Sequence, residues 1–326
     1  MAQLTKPELL GRVLQGLRDG GWLPVVATDK HPFLIRAARP DRESFDLRVY
    51  IWNCTHGGGG RAADEFRIQV TSAVPHVHPK EVTVLLGWHD DTQVFAAWDI
   101  KAHDGQDSTS PSAQIKEGTL EAAHDKAFAT QVKDNEIVAA FRPMFLADYA
   151  LSSARLHKTG EAHRDMSLLN KLDTLTDVEI DDVADTSRRT VIRTIATRYR
   201  SAKFKDKVLG AYRHKCAFCQ IQLSLLDAAH IIPVASPEST DQVINGVALC
   251  KLHHFAYDAN LVSFNEQYRI EVSQTRVQVL TADHKAGGLP EFQRAMGQSI
   301  LLPSNVHQHP NVVYINKSRH IRNWQA

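Results

Sequence analysis

The chain has 326 residues, and at about 150 residues per domain that length points to two domains. Hydrophobic residues make up 43% and charged residues 23%, which excludes a wholly disordered chain, and no run approaches the roughly 18 apolar residues of a membrane span. Lys and Arg number 38 against 37 Asp and Glu, so the net charge of +1 names no partner and only its distribution informs.

The start, MAQLTKPELLGRVLQ, lacks the cationic stretch and unbroken apolar run of a secretory leader, and a cytoplasmic protein is expected. Residues 3–18 read as an amphipathic helix. Thr5 is a candidate cap, Pro7 falls in the first turn, and Leu9, Leu10, Val13, Leu14 and Leu17 recur at helical spacing before Gly20 and Gly21. Runs at 32–38, 45–53, 65–72 and 82–100 are β-like, the last as a hairpin around Asp90 and Asp91. The tract 103–112 has turn chemistry, 114–133 reads as helix, 137–141 as strand, and Pro143 opens a helix to about Ser152. Residues 1–154 therefore form one α+β module.

Charge then segregates. Between Glu161 and Asp185 eight acidic residues stand against Arg164 and Lys171, so 155–185 is expected to be an acidic linker. From Thr186 to Lys215 there are ten Lys or Arg and one acid, Asp206. A helix there would carry Arg188, Arg189, Arg193, Arg198, Arg200 and Lys203, either as a solvated face or as a row of phosphate contacts.

Three of the four cysteines follow directly, as Cys216-x2-Cys219, thirty intervening residues, then Cys250-x2-His253. Two short knuckles supply the four sulfur and nitrogen donors that tetrahedral zinc prefers, and a site closed by four protein ligands is structural. A Cys216–Cys219 disulfide and simple core cysteines are the alternatives. Between the knuckles, 226-LDAAHIIPV-234 is an apolar strand interrupted by His230. Asn245-Gly246 signals a turn, and 251-KLHHFAYDANL-261 reads as helix, with His254 and Asp258 four apart on one face.

This order resembles the HNH endonucleases of the ββα-metal type, in the branch with A-H-I-x-P, then N-G-x-x-L, then H-x-x-[FY]-D. The likeness covers about 185–270 and implies an α+β chain: an N-terminal mixed α/β reader module, then a ββα-metal nuclease domain over 186–326, braced by zinc. It further implies a prokaryotic restriction or phage-defence endonuclease acting on double-stranded DNA, modified or plain. His230 would be the general base, and Asn245 would pin the loop that orients it. His254 would hold Mg²⁺ or Mn²⁺. One departure stands out. Many relatives carry an aspartate directly before the base histidine, and this chain has Ala229. Asp227 lies about 7 Å further along the strand. Asp258 is the better second metal ligand, unless it simply pairs locally.

The runs DEFRIQ, GWHDDTQVFAAWD and SPSAQI are similar to an upstream module of restriction-like enzymes with this HNH type. Trp22, Trp52, Trp88 and Trp98 could line a base pocket, but at least two are expected in the core. The loop 55–65 with Arg61 would suit DNA contact, and the tail 317–326 either does the same or packs on the nuclease domain. A single HNH site cuts one strand, so symmetry favours a homodimer. Two other functions compete: a zinc-braced DNA-binding protein without catalysis, and a nuclease whose N-terminal module senses a small signal.

Overall fold

The computed structural model describes residues 3–40, 43–58, 60, 62–105, 111–133, 135–157 and 162–324. They divide into two compact units, the first ending at Tyr199 and the second beginning at Arg200. Among the described residues no helix is long and apolar enough to cross a membrane.

The first unit opens with α1 (Lys6–Asp19), where the Thr5 amide and hydroxyl both donate to Glu8 Oε2 at 2.7 Å, closing its first turn. Among the described residues ten strands follow: β1 (Leu23–Thr28), β2 (Phe33–Ala38), β3 (Ser44–Asn53), β4 (Thr55–His56), β5 (Glu65–Gln69), β6 (Val82–His89), β7 (Val94–Trp98), β8 (Ser112–Lys116), β9 (Phe128–Lys133) and β10 (Glu136–Phe141). Helix α2 (Glu117–Lys126) lies between β8 and β9, and α3 (Leu146–Leu156) follows β10. Seven strands form one sheet in the order β1-β2-β3-β6-β7-β10-β9, with β3 and β6 parallel and the other neighbours antiparallel.

Alternation along these strands sorts the core into two layers. Ile35, Leu47, Val49, Val84, Leu86, Phe95 and Phe141 join Leu9, Val13 and Leu17 of α1 on one face. Tyr50, Trp52, Leu85, Ala96, Trp98 and Ala140 face the other way, against Ile68 and Ile115 of a small β4-β5-β8 sheet and Leu120 of α2. Gly87 in β6 lets the two sheets approach closely. A Cβ there would lie 2.6 Å from Ile68 Cγ2.

The hairpin around Asp90 and Asp91 is present as β6 and β7, but the expected helix over 114–133 is interrupted. Its ends are strands β8 and β9, and Ala127 stops α2 in a left-handed conformation (φ 69°). Trp22, Trp52, Trp88 and Trp98 are all buried. Arg61 and residues 106–110 of the polar loop lie outside the described residues.

The acidic stretch is not a free linker. It forms α4 (Ala162–Met166), a 3-10 turn over Ser167–Lys171 and α5 (Asp177–Asp181). Met166, Leu169, Leu172, Ile180 and Val183 are buried in the same core as α1. Apolar residues spaced through the charges carry the packing. Helix α6 (Thr186–Ala211) comes next, and the boundary between the units falls within it.

The second unit holds two antiparallel pairs, β11 (Leu226–His230) with β12 (Gly246–Cys250) and β13 (Val262–Phe264) with β14 (Ile270–Val272). Helix α7 (Lys251–Asp258) leaves β12 directly. Helices α8 (Gln274–Ala282), α9 (Leu289–Arg294) and α10 (Val312–Ile321) complete it. The stretch 277-VQVL-280 lies in α8, capped by the Ser273 hydroxyl, which accepts from the Arg276 amide at 3.2 Å. Phe204, Val208 and Tyr212 of α6 pack under the β11-β12 pair. Gly246 is required by that contact, since a Cβ would lie 2.4 Å from Val208 Cγ2 and 3.0 Å from Phe204. The tail packs back. Ile315 of α10 is buried, and Ser318 Oγ donates to the Ile231 carbonyl at 2.5 Å.

Candidate metal centre and nuclease site

Cys216, Cys219, Cys250 and His253 come together, with one donor atom from each lying within 4.8 Å of the others. A tight turn builds the first knuckle: the Gln220 amide donates to the Cys216 carbonyl at 2.8 Å, and Gln220 is left-handed. The Ala217 amide reaches the Ala248 carbonyl of β12 at 2.7 Å, which ties this knuckle to the second. Cys250 caps α7, and the first turn of that helix brings His253 round.

The edges fit an ion. Cys219 and Cys250 sulfurs are 3.9 Å apart, and His253 Nδ1 is 3.6 Å from Cys216 Sγ and 3.2 Å from Cys250 Sγ. A tetrahedral centre with bonds of ~2.3 Å to sulfur and ~2.0 Å to nitrogen would give edges of about 3.8 and 3.5 Å. Burial pushes the Cys219 thiol up to about 12 and also raises Cys250. Burial acts the same way on Cys216, but hydrogen bonds from His253 and backbone groups bring that thiol down to about 6. A bound cation is what would draw all three out as thiolates.

Beside this cluster the β11-β12-α7 sequence sets out the remaining polar groups. His230 ends β11 opposite Gly246, and its ring stacks on Phe204 with centroids 3.9 Å apart. Asn245 is fully buried and fully used. Its Oδ1 accepts from the Ile232 amide at 2.9 Å, and its Nδ2 donates to the Thr240 carbonyl at 2.9 Å. The Asn245 carbonyl also accepts from the Ile231 amide at 2.8 Å. One side chain thus ties both ends of the loop after His230.

His254 is flanked by two carboxylates. Asp258 Oδ2 is 3.3 Å from its Nε2 and Asp227 Oδ2 is 3.7 Å from its Nδ1. Asp227 shares a strand face with Ala229 and lies about 7 Å further along β11, and His254 of α7 meets it there. Asp227 also pairs with Lys205 at 3.0 Å and with Lys251. Contact with His254 is the largest cause holding its carboxyl far below the usual range, against the opposing effect of burial, with Lys251 and Lys205 adding. Asp258 pairs locally as well, with Arg322 at 3.3 Å. Arg322 lies over the Tyr257 ring at 4.5 Å and reaches the His230 carbonyl at 3.5 Å, so one guanidinium links the His230 and His254 sides of the site. Ala229 is buried in the core and offers no ligand.

The basic helix has other employment. Arg188 pairs with Asp165 at 2.8 Å and Asp185 at 3.4 Å, and Arg193 with Asp181 at 2.5 Å. Arg189 donates to the Val183 carbonyl at 2.8 Å, while Arg198 reaches the Gly20 carbonyl and pairs with Asp148 at 3.6 Å. These four hold the first unit together, because the acidic run folds alongside the basic one. Arg200 and Lys203 fall in the second unit.

Residues 216–265 match the family described as HNH endonuclease. The chain carries an HNH endonuclease domain. It is a nuclease, a hydrolase of phosphodiester bonds. Residues 45–150 match the family described as methylase-associated X1. A solved structure titled modification-dependent TagI restriction endonuclease is 12% identical, with 84% of this chain and 80% of that one covered at a TM-score of 0.29. No curated protein matches the chain.

Proposed function

We propose that the chain is a metal-dependent DNA endonuclease of the restriction or phage-defence kind, with His230 as general base. The observation that carries this is the HNH segment itself: a histidine ending a strand, a buried asparagine pinning the next loop, and a helix histidine flanked by carboxylates. In this reading His230 takes a proton from the water that attacks the scissile phosphate, and a histidine suits that step near neutral pH. Asn245 keeps the strand end and loop in register during the step.

His254 and Asp258 would hold Mg²⁺ or Mn²⁺, because imidazole and carboxylate donors suit such ions. When bound, the cation polarises the phosphate and stabilises the leaving 3′ oxygen. Asp227 and Asp258 face different ring nitrogens, so an ion on one nitrogen takes only one of them directly. Lys205 and Lys251 already neutralise Asp227, which makes it a brace for the ring. The Cys216, Cys219, Cys250 and His253 cluster would hold a structural Zn²⁺ that fixes the start of α7.

Arg200 and Lys203, in the second unit with the HNH segment, would contact DNA phosphates. The first unit would choose the target. The name of the family matched by residues 45–150 associates it with methylases, which supports a reader of modified DNA or an enzyme partnered by a methyltransferase. Duplex cleavage from one site per chain calls for a homodimer.

Cleavage of a panel of modified and unmodified plasmids with Mg²⁺ or Mn²⁺ tests the reading. His230→Ala is expected to lose at least a hundredfold in rate while its circular dichroism stays unchanged. A His230→Ala protein that cuts at the wild-type rate would sink the mechanism. Buried Ala229, in the place of the family's aspartate, favours a second reading as a zinc-braced DNA-binding protein. That reading requires DNA binding with no cleavage on any plasmid in the panel.

A further inference from the structure

His230 has a partner that the HNH motif does not name. Its Nε2 lies 3.0 Å from Asp241 Oδ1, eleven residues further on in the loop between β11 and β12. We propose that Asp241 is a positioning residue for His230, and the inference rests on His230 being the general base.

The placement of Asp241 is built into the loop. Asn245 ties Ile232 to Thr240, and Ser239 Oγ donates to the Ile232 carbonyl at 3.0 Å. Asp241 is the next residue after that double tie, so its backbone starts from a fixed point beside the strand end. The carboxylate is half exposed, and among the described residues the His230 ring is its hydrogen-bond and ion partner. The ring it meets is only 16% exposed and lies flat on Phe204. Phe204 fixes the plane of the imidazole, and Asp241 fixes its rotation within that plane. Arg322 is the other charged group against this residue, and it reaches the backbone carbonyl, not the ring.

The chemistry follows from the tautomer. An acceptor at Nε2 keeps the hydrogen on that nitrogen and leaves the lone pair on Nδ1. Nδ1 can then take the proton from water as the water oxygen bonds to phosphorus and the bond to the 3′ oxygen breaks, that oxygen leaving with the electron pair. The imidazolium formed is stabilised by the carboxylate it already touches.

Two measurements on the full chain test this. The first reads the ring directly, from ¹⁵N–¹H correlations that assign the His230 tautomer. The wild type is expected to show the Nε2–H form, and Asp241→Ala a mixture. A wild-type ring in the Nδ1–H form overturns the proposal whether or not the protein cuts DNA. The second is single-turnover cleavage: Asp241→Ala should lower the rate about 10–100-fold with DNA affinity within twofold. Asp241→Asn, which still accepts from Nε2–H without charge, should fall between Asp241→Ala and Asp241→Glu. An Asp241→Ala rate within twofold of wild type overturns it. Failure of the nuclease reading is separate, since it shows as a wild type that does not cut or a His230→Ala protein that does.

Discussion

The two units reach a folded state by different means. The first has a seven-stranded sheet with a packed apolar layer on each face, and apolar burial accounts for its order. The second has two short strand pairs of five and three residues, yet it must hold His230, Asn245 and His254 in register. It does so with a polar scaffold: a sulfur-rich cluster at one end of α7, a buried asparagine at the loop and a guanidinium at the tail. A small core can hold polar groups in place when ties of this kind replace apolar area.

Metal removal should break the comparison most sharply. Chelation, or Cys250→Ala, is expected to abolish cleavage and unfold the second unit while the first keeps its thermal transition. Limited proteolysis with intact-mass readout follows both. Loss of the first unit on chelation would show that the cluster supports more than its own unit.

Gly246→Ala should have the next largest effect. The added methyl meets Val208 and Phe204, so a cost of about 1–3 kcal/mol is expected in the second unit. Phe204 is also the surface His230 lies on, so cleavage should fall more than stability alone explains. Urea unfolding beside single-turnover rates separates the two. Equal losses would mean that the stacked ring does nothing for the base.

Acid should act on the first unit, and by less. Burial, and then the Lys6 charge, hold the His31 imidazole down to about 3 from its usual 6.5, and its Nε2 accepts from the Ile51 amide at 3.0 Å. The unfolded chain therefore binds the proton more readily. His31's contribution is intact above about pH 6.5 and is lost progressively as pH falls toward 3. At pH 5 that is on the order of 1–2 kcal/mol. Urea midpoints at pH 7 and 5 measure it, and His31→Gln should flatten the difference.

Much of the second unit was legible because its chemistry is written in spacing. The knuckles Cys216-x2-Cys219 and Cys250-x2-His253, the Asn245-Gly246 turn and the His254–Asp258 pair all come from local order. Asp241 was not legible, because a loop aspartate meets His230 only once Asn245 has folded the loop. Asp227 was discounted because distance along a strand says nothing of the helix crossing it. In the first unit, the Thr5–Glu8 cap and the β6-β7 hairpin were plain. The end of α2 was hidden, since left-handed Ala127 carries no glycine or proline signal. The acidic stretch misled because its charges outnumber the few apolar side chains that bind it to the core.

Arg322 has a practical bearing on how the protein is produced. Cutting the chain before Arg322 removes the guanidinium that joins the His230 strand end to Asp258. A preparation nicked near residue 320 would pass a folding check on its large sheet and still give a misleadingly inert nuclease.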